Sequence, residues 1–211
     1  MWLHALLWAW AAAQDPTVSH PFHDAARWAD VFDDPARDAW QRPEALVEAL
    51  RLRPGDTVAD VGAGTGYFEP HLARAVGPEG HVLAVDIEPE LVDHMRARFA
   101  DTGLQTVEAR LGAADDPALP AHEVDLVLLV DTYHHIGDRV DYFARLKDAL
   151  AKKGRLVIVD FRADRDGPGP PKAHRIPAEQ VVAELAEAGW KLKRDHGDLL
   201  PEQYVLELRP R

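Results

Sequence analysis

Hydrophobic and polar positions change period repeatedly along this chain. From Phe22 to Leu50 apolar residues recur at helical intervals, with a break at Pro43 that can open the helix PEALVEAL in its first turn. RLRPGDTV then reads as a turn entering a strand, and beyond it strand and helix signals alternate. Strands are predicted at 57–61 (TVADV), 81–87 (HVLAVDI), 106–111 (TVEARL), 124–131 (VDLVLLVD) and 155–161 (RLVIVDF). Helices are predicted between them at about 66–76, 89–100 and 138–151. The stretch 124–131 is almost unbroken in its apolar character, as expected of a parallel strand covered on both faces.

The C-terminal part changes pattern. RADRDGPGPPKAHR, 162–175, is a Pro- and Gly-rich loop, long enough to serve as a lid or a substrate-contacting segment. A helix (PAEQVVAELAEAGW) and two short strands (KLKRD and YVLEL) follow. The link HGDLLPEQ has no room for a crossover helix, so these two strands are antiparallel neighbours. The expected fold is α/β: a Rossmann-like doubly wound sheet of seven mostly parallel strands, one antiparallel strand near the edge, and helices on both faces.

Length and composition narrow the function. The 211 residues suit one domain, expected over 21–211 with 21–55 as an N-terminal helical cap. A net charge of −12 disfavours a nucleic-acid partner. Cysteine is absent, which removes disulfides, thiolate metal sites and cysteine nucleophiles. The single serine, Ser19, lies outside the expected core and leaves no serine-triad nucleophile. MWLHALLWAWAAAQDP is apolar from Trp2 to Ala13 but too short to span a bilayer. Residues 1–20 are therefore set aside as a leader. It is either a signal-like segment cleaved near Ala13, although it lacks the basic start, or an amphipathic leader or a mis-chosen start.

The chemistry concentrates in VADVGAGTGYF, 58–68. A strand running through a glycine-rich turn into a helix offers bare main chain, free amides and a positive dipole end to a ligand. The glycines fall at Gly62-x-Gly64-x-Gly66, so the third comes one place earlier than in the dinucleotide pattern G-x-G-x-x-G. Asp60 lies inside the motif, which suits a ligand that carries an ammonium and no phosphate. Asp86, ending the next strand, can accept hydrogen bonds from vicinal ribose hydroxyls.

VADVGAGTGYF resembles motif I of the class I S-adenosylmethionine-dependent methyltransferases, and the resemblance runs from about residue 43 to the end, reversed last strand included. It implies S-adenosyl-L-methionine as cofactor, with Asp60, Gly62, Ala63, Gly64 and Gly66 at its methionine end. It further implies Asp86 at the ribose, Ile87 beside the adenine, and Ala114 with Asp115 in the loop that receives the adenine amino group. Asp116 competes with Asp115 for that place, and loop capping is the plainer role for either.

Groups facing the methyl should stand at the end of the fourth strand, in LVLLVDTYHHI. His135 and then His134 are the candidate general bases, Tyr133 a wall or donor, and Asp131 a neighbour of the methionine end. Either His could instead cap the following helix. The absence of asparagine disfavours the Asn-Pro-Pro-aromatic type of base N-methyltransferase, and the tract looks like the small-molecule O- and C-methylating branch. No metal is expected: His20 and His23 fall in the leader, His134 and His135 are adjacent, and Asp160 adds little. Trp40, Gln41 and Arg42 are candidates for shaping an acceptor pocket. The rivals are a nicotinamide-dependent oxidoreductase and a catalytically silent cofactor binder. Because the methyl donor is made in the cytosol, a cytoplasmic location is expected over export.

Overall fold

The computed structural model describes residues 25–211, so the leader expected over 1–20 lies outside them. Four helices or turns come first: α1 (Ala25–Phe32), a 3-10 turn at Pro35–Arg37, α2 (Asp38–Gln41) and α3 (Pro43–Leu50). Pro43 opens α3 as its spacing predicts, and Leu46, Val47 and Leu50 form the buried stripe.

The alternating region folds as β1 (Thr57–Val61), α4 (Glu69–Val76), β2 (His81–Asp86), α5 (Pro89–Thr102), β3 (Val107–Leu111), β4 (Val124–Val130), α6 (Arg139–Leu146) and β5 (Leu150–Phe161). It ends with α7 (Ala178–Glu187), β6 (Trp190–Asp195) and β7 (Gln203–Pro210). The described strands form one sheet in the order β3-β2-β1-β4-β5-β7-β6. All neighbours from β3 to β5 are parallel, while β7 runs antiparallel to both β5 and β6. The one reversed strand thus lies next to the edge, as expected.

Strand order reverses between β1 and β4. In open α/β sheets ligands bind at such a point, outside the carboxyl ends of the strands. One face of the sheet packs on α3, α4 and α5 through Leu46, Leu72, Val76, Met95 and Phe99. The other packs on α6 and α7 through Phe143, Leu146, Val181 and Leu185, with Trp190 beside them. Burial on both faces explains the unbroken apolar run of β4.

Two boundaries differ from the sequence expectation. Helix α4 begins at Glu69 rather than 66, because the chain from Gly62 to Gly66 passes through left-handed conformations that a helix cannot contain. The helix expected over 138–151 stops at Leu146, and β5 starts five residues early. The carbonyls of Asp148 and Ala149 accept from the amides of His122 and Glu123, which draws this stretch into the sheet's approach.

Candidate functional site

The glycine turn is held from two directions. Gly62 N and Ala63 N both donate to the Val85 carbonyl, at 2.8 and 3.0 Å, tying the turn to the end of β2. Gly64 N donates to Asp86 Oδ2 at 2.8 Å, and Glu88 N donates to Asp86 Oδ1 at 3.0 Å. Asp86 therefore fixes the turn, and each of its oxygens keeps a second lone pair for a hydroxyl donor. Burial raises its pKa while these backbone amides pull it down. Gly62 is demanded by close packing: a Cβ there would stand 2.2 Å from Thr132 Oγ1, at the end of β4.

Two carboxyl groups lie beneath this turn. Asp60 is 2% exposed and Glu69 is fully buried. Asp60 Oδ1 and both Glu69 oxygens have no hydrogen-bond partner among the described residues. Burial drives both pKa values up, and the charge of Asp60 raises Glu69 further. Sequence reasoning found Asp60 but missed Glu69, which reads as an ordinary acidic residue in a helix's first turn.

The N-terminal segment is clamped onto the turn. Asp33 accepts from Thr65 Oγ1 at 3.1 Å and from Arg98 at 2.9 Å, and Arg98 also donates to the Thr65 carbonyl at 3.0 Å. Tyr67 donates its hydroxyl to Asp38. The Arg37 guanidinium lies 4.2 Å from the centre of the Tyr67 ring. Gln41, fully buried, accepts from Arg37 and donates to Gln203 at 2.6 Å, and Gln203 in turn donates to Asp131. Trp40 packs on Phe161 at 5.5 Å, and Arg42 donates to the Leu199 carbonyl at 3.3 Å.

The end of β4 separates its candidates. Asp131 sits at positive φ, 3.8 Å from Arg37. Burial and the nearby Asp160 push its pKa up to about 7, against the opposing pull of Arg37 and His134. His134 is 4% exposed, with Nδ1 at 2.9 Å from Asp160 Oδ2 and 3.0 Å from Oδ1. Burial alone would lower its pKa, but the Asp160 carboxylate raises it overall. His135 is half-buried, its ring centre 4.1 Å from that of His134. Sequence order ranked His135 first, yet His134 carries the buried carboxylate behind it. Tyr133 stands apart from the others: it is fully buried against Phe143 and donates to Glu184 at 2.6 Å on the α6–α7 face. That bond and its burial disagree with a wall or donor role at the acceptor.

The ends of β2 and β3 expose two apolar side chains, Ile87 and Leu111, 54% and 50% accessible. Such a surface suits a flat aromatic base. Ala114 and Asp115 are exposed on the bend that follows β3. Asp116 accepts from Ala118 N at 2.8 Å and takes the capping role, while the Asp115 main-chain carbonyl accepts from Arg145 at 2.9 Å.

The loop 162–175 is stitched shut. Arg175, 7% exposed, donates to the carbonyls of Arg162, Arg165, Gly167, Pro168 and Pro170 at 2.9–3.4 Å. Its guanidinium also lies 5.2 Å from the Phe161 ring centre. These bonds tie the loop to itself through one side chain.

The residues fit the expected cofactor. Asp60, Glu69, Asp86, Asp131 and Asp160 gather around the carboxyl ends of β1, β2, β4 and β5, where the Arg37 and Arg98 guanidiniums and the His134 imidazole face them. The excess of negative charge, with three oxygens left unpartnered, suits a ligand carrying an ammonium and a sulfonium. It repels a pyrophosphate.

Comparison with known proteins agrees. Residues 52–198 match a family model described as a methyltransferase domain. The chain is 34% identical over 151 residues to nocamycin O-methyltransferase of Saccharothrix syringae, which covers 71% of this chain and 51% of that enzyme. It is 28% identical over 154 residues to the ubiquinone/menaquinone biosynthesis C-methyltransferase UbiE of Teredinibacter turnerae, covering 72% and 62% of the two chains. This chain thus spans between half and two thirds of the length of these two relatives. A solved SAM-dependent methyltransferase from Aquifex aeolicus superposes with a TM-score of 0.82 at 26% identity, covering 88% of this chain and 97% of its own. These matches decide against the nicotinamide-dependent reading. The chain belongs to the class I S-adenosylmethionine-dependent methyltransferases.

Proposed function

We propose that this protein transfers a methyl group from S-adenosylmethionine to an oxygen or carbon atom of a small molecule. The observation that carries the reading is the collection of buried, under-partnered carboxyl groups beneath a bare glycine turn at the switch point of the sheet. Asp60, Gly62, Ala63, Gly64 and Gly66 hold the methionine end, Asp86 the ribose, and Ile87, Ala114 and Asp115 the adenine. When bound, the cofactor supplies a methyl group made electrophilic by its sulfonium.

The remaining work falls to the chain. His134 is the general base: Asp160 accepts from Nδ1, which fixes the tautomer with Nε2 free to take a proton from the acceptor. Thr132 abuts the glycine turn at Gly62, and this contact, two residues before His134, supports a base on the methionine side. His135 lines the acceptor side. Residues 25–50 act as a cap that excludes water through the Asp33–Arg98, Asp38–Tyr67 and Arg37–Asp131 contacts. The O- and C-methyltransferase activities of the two relatives support a small-molecule acceptor. No helix among the described residues is long and apolar enough to cross a membrane. A cytoplasmic site of action follows from where the donor is made.

The test is turnover. The purified chain is incubated with methyl-labelled donor and a panel of phenols, quinols, carboxylic acids and β-dicarbonyl compounds. Label transferred to at least one acceptor, in proportion to enzyme, is the expected result. Tight donor binding with no transfer to any of these acceptor classes or to a metabolite extract would favour the silent cofactor binder.

A further inference from the structure

Asp60 and Glu69 press two carboxyl groups together in the interior. Glu69 has a plain explanation available, since an acidic residue in the first turn of α4 favours the helix dipole. A side chain needed only for that would stand in solvent. This one is fully buried, and its oxygens face the Asp60 carboxyl and its own main-chain amide, with no donor from another side chain among the described residues. Burying an unpaired carboxylate is expensive, so the unliganded pair keeps a proton.

We propose that Glu69 is a positioning residue acting through Asp60: the two carboxyls share one proton in the unliganded chain, and the cofactor's α-ammonium displaces it on binding. This rests on the reading above that the glycine turn holds S-adenosylmethionine. An O–H bond of the pair breaks, its proton passes to the buffer, and the pair goes from one negative charge to two as the ammonium arrives.

The charged groups facing the pair leave that role open. Arg37, from the turn before α2, faces Asp60 but is engaged by Gln41, the Phe32 carbonyl and Asp131. Arg98, from α5, faces Glu69 but is bonded to Asp33 and the Thr65 carbonyl. Asp86, from the end of β2, opposes ionisation of Asp60. A cation delivered by the ligand is the partner that the pair lacks.

Calorimetric titration with S-adenosylhomocysteine, which keeps the ammonium and cannot react, tests this between pH 6 and 8. Two buffers of different ionisation enthalpy count the protons exchanged. The expected result is release of about one proton per ligand near neutrality. Affinity should rise with pH by up to about tenfold per unit and then level off. Glu69→Gln keeps the shape and gives Asp60 a fixed donor. It should bind with close to zero proton release and a flat pH profile. No release from the native chain, or equal release from both proteins, overturns the proposal. The native proton count decides alone if the variant does not fold. Absence of any binding heat overturns the cofactor reading itself, and this proposal with it.

Discussion

Replacing Gly62 by alanine probes how tightly the glycine turn is pressed against β4. The added methyl would lie 2.2 Å from Thr132 Oγ1, 2.5 Å from Cγ2 and 2.9 Å from Cβ. Turning the Thr132 side chain moves the first two atoms and leaves the third. The main chain at the end of β4 must then yield, and that segment carries Asp131 and His134. Holding alanine at φ +82° adds a conformational cost of about 1–2 kcal/mol. Overpacking adds about 1–3 kcal/mol. The sum, about 2–5 kcal/mol, corresponds to a Tm loss of about 4–20 °C for a chain of this length. Thr132→Gly removes all three clashing atoms and forfeits the bond from Oγ1 to the Val130 carbonyl, about 1 kcal/mol. Urea denaturation of the four proteins closes a double-mutant cycle. The double variant should be more stable than the sum of the singles by about 1–3 kcal/mol. Additivity within about 0.5 kcal/mol would refute the claim that Thr132 is what excludes a side chain at Gly62.

Other outcomes follow from the same geometry. Asp60 is pushed up to about 7, and Glu69 is raised too, so the folded chain retains protons that the unfolded chain has released. Their contribution is complete below pH 4 and is lost as pH rises towards 7; Asp86, Asp131 and His134 act in the same direction. His71 and His196, lowered by burial, oppose it, as do Glu108, Asp166 and Glu184, whose lowered pKa values act below about pH 5.5. The ligand-free protein should therefore be less stable to urea at pH 7.5 than at pH 5.5, and the reverse order would contradict this assignment. His134→Asn keeps a donor for Asp160 and removes the base. It should lower kcat/KM about 10²–10⁴-fold while leaving S-adenosylhomocysteine affinity unchanged, whereas turnover within threefold of native would remove His134 from the mechanism. Arg175→Met strips five carbonyls of their donor, and limited proteolysis should then cut within 162–175 under conditions that spare the native chain. Equal resistance would show that the loop holds without it.

The sheet was legible because its signals are local. β1, β2 and β4 are short, mostly apolar runs, β3 alternates apolar with charged residues, and the reversed strand was given away by a link too short for a crossover. The glycine turn and Asp86 are likewise contiguous with the strands that carry them. What escaped depends on distant partners. The choice between His134 and His135 turns on Asp160, 26 residues away, reached because the 3-10 turn at Tyr133–His135 sends successive side chains in different directions. That same turn carries Tyr133 to Glu184 on the opposite face. Gln41 is a candidate for shaping an acceptor pocket, but the sequence hides its partner: Gln203, 162 residues on, completes its buried chain to Asp131. Arg175 looks like one more charge in a polar loop, and only the fold of that loop gathers five carbonyls around it.

Titration calorimetry of the intact chain with S-adenosylmethionine, S-adenosylhomocysteine and NADH, run side by side, confronts the whole picture with one experiment. Saturable binding of the first two at a single site, abolished or greatly weakened by Asp86→Ala, with no heat from the third, is the expected result. A folded sample that ignores both adenosyl ligands, or that binds NADH in their place, would contradict it.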